Sequence, residues 1–201
     1  PAWVSFAQGR ADAAAYTGWT PGQVDTVTRD IVIEVWFGPG SFAQEVAGEP
    51  VFEGRERSHM ADVRGVVLAF YALVAVALAA LVIAGVASRR SRWFWRAVSI
   101  GAGGLAVGAI VIGGAFLVLF DTAFTLFHQL FFAAGTWSFD PATDRLVQLF
   151  PYQFWTETSV AIAAVGLGLT LCVWALARRL AGPRGGPPVA AGAMAAGGDA
   201  S

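Results

Sequence analysis

GVVLAFYALVAVALAALVIAGVAS, residues 65–88, contains no charged side chain and sets the fold class. About 20 apolar residues in a helix cross a hydrocarbon core roughly 30 Å thick, so this stretch predicts a membrane-spanning helix. Two more follow it. Residues 97–120 are also uncharged, and residues 159–177 reach spanning length if the helix starts near Thr156 and leaves Glu157 at the interface. Composition agrees: 56% of the 201 residues are hydrophobic and only 13% are charged, which is not the balance of a soluble domain. The expected fold is all-α, a polytopic membrane helical bundle with three spans and a small, mostly helical extracytoplasmic cap.

Charge placement orients these spans. Arg89, Arg90, Arg92 and Arg96 separate the first two with no acid among them, and Arg178, Arg179 and Arg184 follow the third. Between the second and third, residues 121–155 set Arg145 against Asp121, Asp140 and Asp144. Arginine-rich connections stay on the cytoplasmic side. Residues 89–96 and the C-terminus are therefore expected to be cytoplasmic, and residues 1–64 and 121–155 extracytoplasmic. Trp93 and Trp95 on one side and Trp155 on the other fit the aromatic belts of the two interfaces. This divides the chain into an outer segment, 1–64, a transmembrane bundle, 65–180, with its outer loop 121–155, and a Gly/Ala/Pro-rich tail, 181–201, expected to be disordered. An outer segment opening on Pro1 without an initiator methionine also needs export. A signal peptide or a fourth, N-terminal span is expected ahead of it, and the span would return both ends to the cytoplasm.

Several chemistries are excluded. There is no lysine, hence no Schiff base. The single cysteine, Cys172, cannot form an internal disulfide and lies in an apolar helix, where packing is its expected role. Residues 101–106, GAGGLA, resemble a dinucleotide loop, but they sit inside a span with no preceding strand. Gly104 and Gly108 are instead expected to let helices approach closely. No Gly-x-Ser-x-Gly elbow is present, so a serine hydrolase has no support.

The outer parts carry local helix signals. Thr20, Pro21 and Gln23 predict a capped start, and a helix to about Phe37 would bury Val24, Val27, Ile31 and Val35 before Gly38-Pro39-Gly40 ends it. Ser58 is the expected cap of the next helix, with His59 and Asp62 on one face of its first turn. Asp121 is expected to cap a short aromatic helix through Phe124, Phe127 and Phe131 that stops at Gly135. Asp140-Pro141 should begin another short helix, closed by Pro151.

The chain has two histidines, His59 and His128, and both fall at the extracytoplasmic edge. Glu56, His59 and Asp62 cluster at a helix start, where the dipole disfavours imidazolium and so keeps a neutral base available. His128 lies in Phe127-His128-Gln129-Leu130-Phe131-Phe132. The residues leave three uses open for this pair. It could be an acid–base site; a metal-assisted hydrolase with His59, His128, Glu56 and Asp62 as ligands; or a non-enzymatic aromatic face that binds lipid or a partner.

The core Glu56-x-x-His59-Met60-x-Asp62-Val63 carries a family resemblance, together with Phe127-His128, Phe132, Trp137, Asp140, Asp144 and Pro151-Tyr152-Gln153-Phe154-Trp155. Over about residues 15–180 the chain resembles the bacterial integral membrane family containing the lipoprotein intramolecular transacylase. The resemblance implies a helical bundle capped by a small outer region, an N-terminal span ahead of it, and two histidines facing one another at the junction, in a multi-pass protein of the bacterial cell membrane. It also implies transfer of the sn-2 acyl chain of a diacylglyceryl-cysteine onto that cysteine's own α-amine. Nucleophile and ester would both come from the substrate. Partners would be a diacylated lipoprotein and membrane lipids, with no metal, no cofactor and no nucleic acid. His59 is the expected base and His128 its partner. Glu56 and Asp62 would orient imidazole or amine, Arg57 would hold a lipid or backbone oxygen, and Phe127, Phe131 and Trp137 would line the acyl groove.

Overall fold

The computed structural model describes residues 2–182; the tail expected to be disordered lies almost wholly outside them. Ten elements follow in order: α1 (Ala2–Arg10), α2 (Ala13–Thr17), α3 (Pro21–Phe37), β1 (Glu45–Val46), β2 (Glu49–Pro50), α4 (Gly54–Ala87), α5 (Arg92–Val118), α6 (Phe120–Phe131), α7 (Arg145–Leu149) and α8 (Tyr152–Ala181). Among the described residues α4, α5 and α8 are long and apolar enough to cross a membrane, which are the three spans expected. Their apolar side chains point mostly outward. Ile112 in α5 and Ile162 in α8 remain 70% and 68% exposed, a surface that suits hydrocarbon rather than water.

The chain buries its core in the cap instead. α3 begins as its sequence dictates: the Thr20 side chain accepts from the Gln23 backbone N–H, and the Gln23 side chain accepts from the Thr20 N–H. This capping box contributes about 1 kcal/mol. Val24, Val27 and Ile31 then pack with Ala7, Phe42, Phe52 and Leu149 into one buried cluster. Buried Gln8 crosses it, donating to the Thr28 hydroxyl at 2.8 Å and to the Leu149 carbonyl at 2.9 Å, and so ties α1 to α3 and to α7. The hairpin β1–β2, paired Glu45 to Pro50 and Val46 to Glu49, was not expected. Its strands are two residues each, too short for periodicity to register.

Several boundaries differ from expectation. Ser58 caps nothing: α4 starts five residues earlier than a Ser58 cap would place it, with Glu53 at the N-cap and Glu56 in the reciprocal capping position. Consequently His59 lies in the second turn of α4, and α4 runs without a break from the outer segment into the apolar stretch that begins at Gly65. The break before α6 falls at Leu119, with Asp121 inside the first turn rather than capping it. α6 ends at Phe131, short of Gly135, whose φ of +83° marks the turn beyond. Asp140 accepts from the Ala142 N–H in a local turn, while Asp144 occupies the N-cap of α7 and Pro151 the N-cap of α8.

α5 and α8 form the main interface between spans, and α4 meets them at few points. Gly104 and Gly108 are not the close-approach residues; a side chain at either would meet nothing within 4 Å. Gly103 is. A Cβ there would stand 3.3 Å from the Trp174 indole, and Gly85 similarly faces the Phe94 ring at 3.1 Å. Cys172 is exposed on the outer surface of α8 rather than packed. Replacing Gly103 by valine should therefore lower the thermal midpoint in detergent, by about 1–3 kcal/mol of overpacking, whereas Gly104→Val should leave it nearly unchanged. Equal effects at the two positions would refute this interface.

Candidate active site

The junction of cap and bundle holds an aromatic enclosure around two imidazoles. His59 comes from α4 and His128 from the last turn of α6. They are 5% and 8% exposed, with ring centroids 6.0 Å apart and planes within 22° of parallel. No hydrogen bond joins the two rings among those of the described residues, so they face one another across a gap. Spacing along α6 explains the placement of His128. Phe120, Phe124 and His128 recur every fourth residue and share one face, with the Phe124 ring 4.0 Å from His128. Phe132, just past the helix end, touches both imidazoles, at 4.8 Å from His59 and 5.3 Å from His128. Phe139 closes over His59 at 5.3 Å, and Trp137 lies 5.0 Å from His128.

Hydrogen bonding distinguishes the two rings. His128 Nδ1 lies 2.7 Å from the Phe124 carbonyl oxygen. A carbonyl can only accept, so Nδ1 carries the proton and Nε2 of the neutral ring is left with a lone pair. His59 Nδ1 is buried with no partner, and so is Trp137 Nε1. Buried polar atoms left unpaired are uncommon; Gln8 Oε1, Gln44 Oε1 and Arg64 Nε are the others among the described residues. The pKa of His59 is pulled down to about 4, first by burial and then by His128, with Asp62 opposing. Burial also lowers that of His128, and the bond to the Phe124 carbonyl opposes it. Both shifts favour the neutral imidazole. The cause is desolvation rather than a helix terminus, since His59 is not in the first turn.

The other expected site residues divide. Glu56 is buried, but its carboxylate turns to backbone: it accepts from the Glu53 N–H at 2.8 Å and from the Leu146 N–H at 2.7 Å. It therefore clamps α7 onto the start of α4 instead of orienting an imidazole. Burial raises its pKa and the two N–H donors oppose that. Asp62 is exposed and reaches His59 only through its charge. Arg57 is exposed and enters no ion pair among the described residues. The arginine at the site is Arg55, one turn before His59. It pairs with Asp144 at 2.8 Å and lies 4.9 Å over the Phe139 ring. Its i, i+4 relation to His59 was the available signal. With Glu56 committed to backbone, the four proposed metal ligands do not converge, and no group of three or more such side chains suited to a metal ion occurs among the described residues.

An apolar cavity of about 420 Å³ adjoins the enclosure. Phe124 and Phe139, which wall the two histidines, also line it, together with Phe120, Val147, Phe150, Trp155 and the Asp121–Tyr152 pair. Phe127 and Phe131, expected to form the acyl groove, lie outside it and are 41% and 38% exposed.

Similarity to known proteins runs through these same residues. The sequence model of the family described as lipoprotein intramolecular transacylase Lit matches residues 30–155, a span containing both histidines. The fold is similar to that of the membrane integral lipoprotein intramolecular transacylase Lit from Bacillus cereus, with a TM-score of 0.73 at 20% identity over 89% of this chain and 81% of that one. Two structures of that enzyme with one histidine changed, to arginine and to alanine, each give 0.68 at 19% identity. They cover 89% of this chain, and 78% and 80% of theirs. No curated protein matches the chain.

Two outcomes follow for stability. Glu56→Ala strips the buried Leu146 N–H and the half-buried Glu53 N–H of their acceptor, so it should cost about 1–3 kcal/mol at the buried one and visibly lower the thermal midpoint, with Glu56→Gln intermediate. An unchanged midpoint for the alanine variant would remove the clamp. For the histidines, a folded pKa below the unfolded value of about 6.5 means that the unfolded chain binds protons first. Stability is present above that pH and is lost as pH falls toward about 4, on the order of 3 kcal/mol for His59. His59→Phe should flatten this part of the acid limb in a pH series of thermal midpoints; a limb of unchanged steepness would contradict the burial of a neutral ring.

Proposed function

The chain belongs to the lipoprotein intramolecular transacylase family and is a membrane acyltransferase, and we propose that it moves the sn-2 acyl chain of a diacylglyceryl-cysteine lipoprotein onto that lipoprotein's own N-terminal amine, with His59 and His128 as the working groups. The observation that carries this reading is the pair of buried, facing imidazoles, one with a lone pair directed by its backbone bond and one with an unpaired ring nitrogen. The substrate supplies both amine and ester, so the protein has to orient them, move one proton and support the oxyanion. Holding the two reactants together accounts for a large part of such a barrier.

Residue roles follow from the two environments and reverse the sequence expectation. His128 is the base. Its Nδ1–H bond to a carbonyl keeps Nε2 as acceptor and opposes the loss of basicity. A ring whose pKa lies near 4 accepts an amine proton poorly, which suits His59 to a donor's role. With its proton on Nδ1, neutral His59 donates to the ester carbonyl oxygen as negative charge builds there. The neutral amine attacks the ester carbon, and the C–N bond forms. His128 Nε2 takes the proton released by nitrogen and passes it to the glyceryl oxygen as the C–O bond breaks, yielding amide and free hydroxyl with both rings restored. Trp137 Nε1 is the second unpaired donor toward the same oxygen, and the aromatic cavity receives the acyl chain. The arginine distribution supports an extracytoplasmic position for this edge, where lipoprotein substrates are found once exported.

Mass spectrometry of a reporter lipoprotein coexpressed with the enzyme should reveal an N-acyl, lyso-glyceryl form. His128→Ala should abolish it. His59→Ala should slow its appearance by about 10²–10³-fold, the usual effect of removing one oxyanion donor. Unaltered conversion by the well-expressed His128 variant would defeat the proposed base.

A further inference from the structure

The edge of the bundle opposite the histidines carries a cation cluster with no counterion among the described residues. Arg89 and Arg90 form the α4–α5 turn, Arg92 and Arg96 occupy the first two turns of α5, and Arg178 and Arg179 the last turn of α8. Residues 63–120 and 158–182 contain no aspartate or glutamate. The ion pairs found among the described residues, Arg10–Glu157, Arg29–Asp30 and Arg55–Asp144, involve none of these six arginines.

Part of this cluster lines a groove that is open to the surface, its α5 residues all exposed. Arg92 and Arg96 lie four apart on one helix face and, with Trp93, Ala97, Ile100 and Ala181, line a cavity of about 480 Å³. Arg92 Nε donates to the Ala181 carbonyl at 3.3 Å, closing the wall toward α8. Arg96 makes no hydrogen bond or ion pair among the described residues. The cavity is graded along the span: guanidinium groups at the helix end, then Ala97, then Ile100, which is 73% exposed. A sorting signal for topology needs only the sign of the charge. It does not require a cavity whose polarity falls off along the membrane normal.

We propose that this cavity binds the phosphate of an anionic phospholipid. Arg92 and Arg96 offer planar donor forks that match phosphate oxygens, Trp93 anchors at the interface, and the glyceryl ester region lies along Ala97 and Ile100. Basic pockets between spans are a known form of headgroup site. This site is independent of the acyl-transfer chemistry at the opposite edge.

The test uses the full chain in nanodiscs of phosphatidylcholine with and without a minor fraction of phosphatidylglycerol, with retained lipid counted by native mass spectrometry. The wild type should keep phosphatidylglycerol in preference to phosphatidylcholine. The double variant Arg92→Gln/Arg96→Gln should bind it roughly 30-fold more weakly. Arg96→Gln alone, which leaves the Arg92–Ala181 bond in place, should show a smaller loss in the same direction. Arg89→Gln/Arg90→Gln removes the same charge outside the cavity and should retain the lipid. Equal retention in all variants overturns the proposal, as does an equal loss in the Arg89/Arg90 control, which would mean a diffuse field. Stabilisation by inorganic phosphate alone to the same extent as by phosphatidylglycerol would overturn the lipid assignment in favour of a free anion.

Discussion

The carboxylate of Glu56 is where the first turn of α4 and the short helix α7 are joined, and the enclosure around the histidines hangs on that junction. One oxygen accepts from the Glu53 N–H and the other from the Leu146 N–H. Both belong to the group of backbone donors that a helix start leaves without an intrahelical partner. A single side chain thus satisfies two helices at once, and at the buried Leu146 N–H an unpaired donor would cost about 1–3 kcal/mol. The connection from Phe132 to Asp144 is held between α6 and α7, and it carries Phe132, Trp137 and Phe139. Together with Phe124 of α6, those three rings pack against His59 and His128. Part of the enclosure thus rests on a carboxylate that is hydrogen-bonded to backbone and not to either imidazole.

Arg55 completes the same construction from the outside. It reaches Asp144 at the N-cap of α7 and lies across the face of Phe139. Exposed ion pairs contribute little to stability, and Arg55 is about half exposed. Its value is geometric, because a cation over the ring fixes the tilt of the aromatic group that covers His59. Position and charge are supplied by two different residues, Glu56 from below and Arg55 from above. Neither could do both, since a buried guanidinium would need its own counterion.

Hydropathy made the three spans legible in sequence, because the bilayer leaves a helix no alternative and demands a long uncharged run. The capping box of α3 was equally readable, since Thr20 and Gln23 act within one turn. The two histidines were legible as a pair at one depth, and the family resemblance at residues 56–63 and 127–155 supplied the enzyme class. What could not be read was anything that depends on contact between distant segments. Glu56 and Leu146 are 90 residues apart, so the carboxylate read as a site group rather than a clamp. Ser58 looked like a cap because serine is a good one, yet Glu53 and Glu56 form the reciprocal pair earlier and the helix simply begins there. Gly103 and Gly104 are indistinguishable in sequence; only the rotation of α5 against Trp174 selects one.

A transacylase of this kind has a competitor that most acyltransferases escape only by speed, which is water. The reacting ester needs a nucleophile, and hydrolysis would consume the acyl chain without forming the amide. Serine or cysteine nucleophiles would store the acyl group on the enzyme and expose it to water between two steps, whereas a direct transfer leaves no such interval. For direct transfer the site must be dry, and a dry site cannot afford charged catalytic groups without counterions. In the proposed mechanism two imidazoles meet that condition, because they are polar enough to donate and accept a proton while burial favours their neutral form. Aromatic walls then do two things together. They exclude water, and they lower the local dielectric so that a hydrogen bond to a developing oxyanion is worth more than it would be in solvent. The lowered pKa of His59 has burial as its first cause, and it favours the protonation state that the proposed donor role requires.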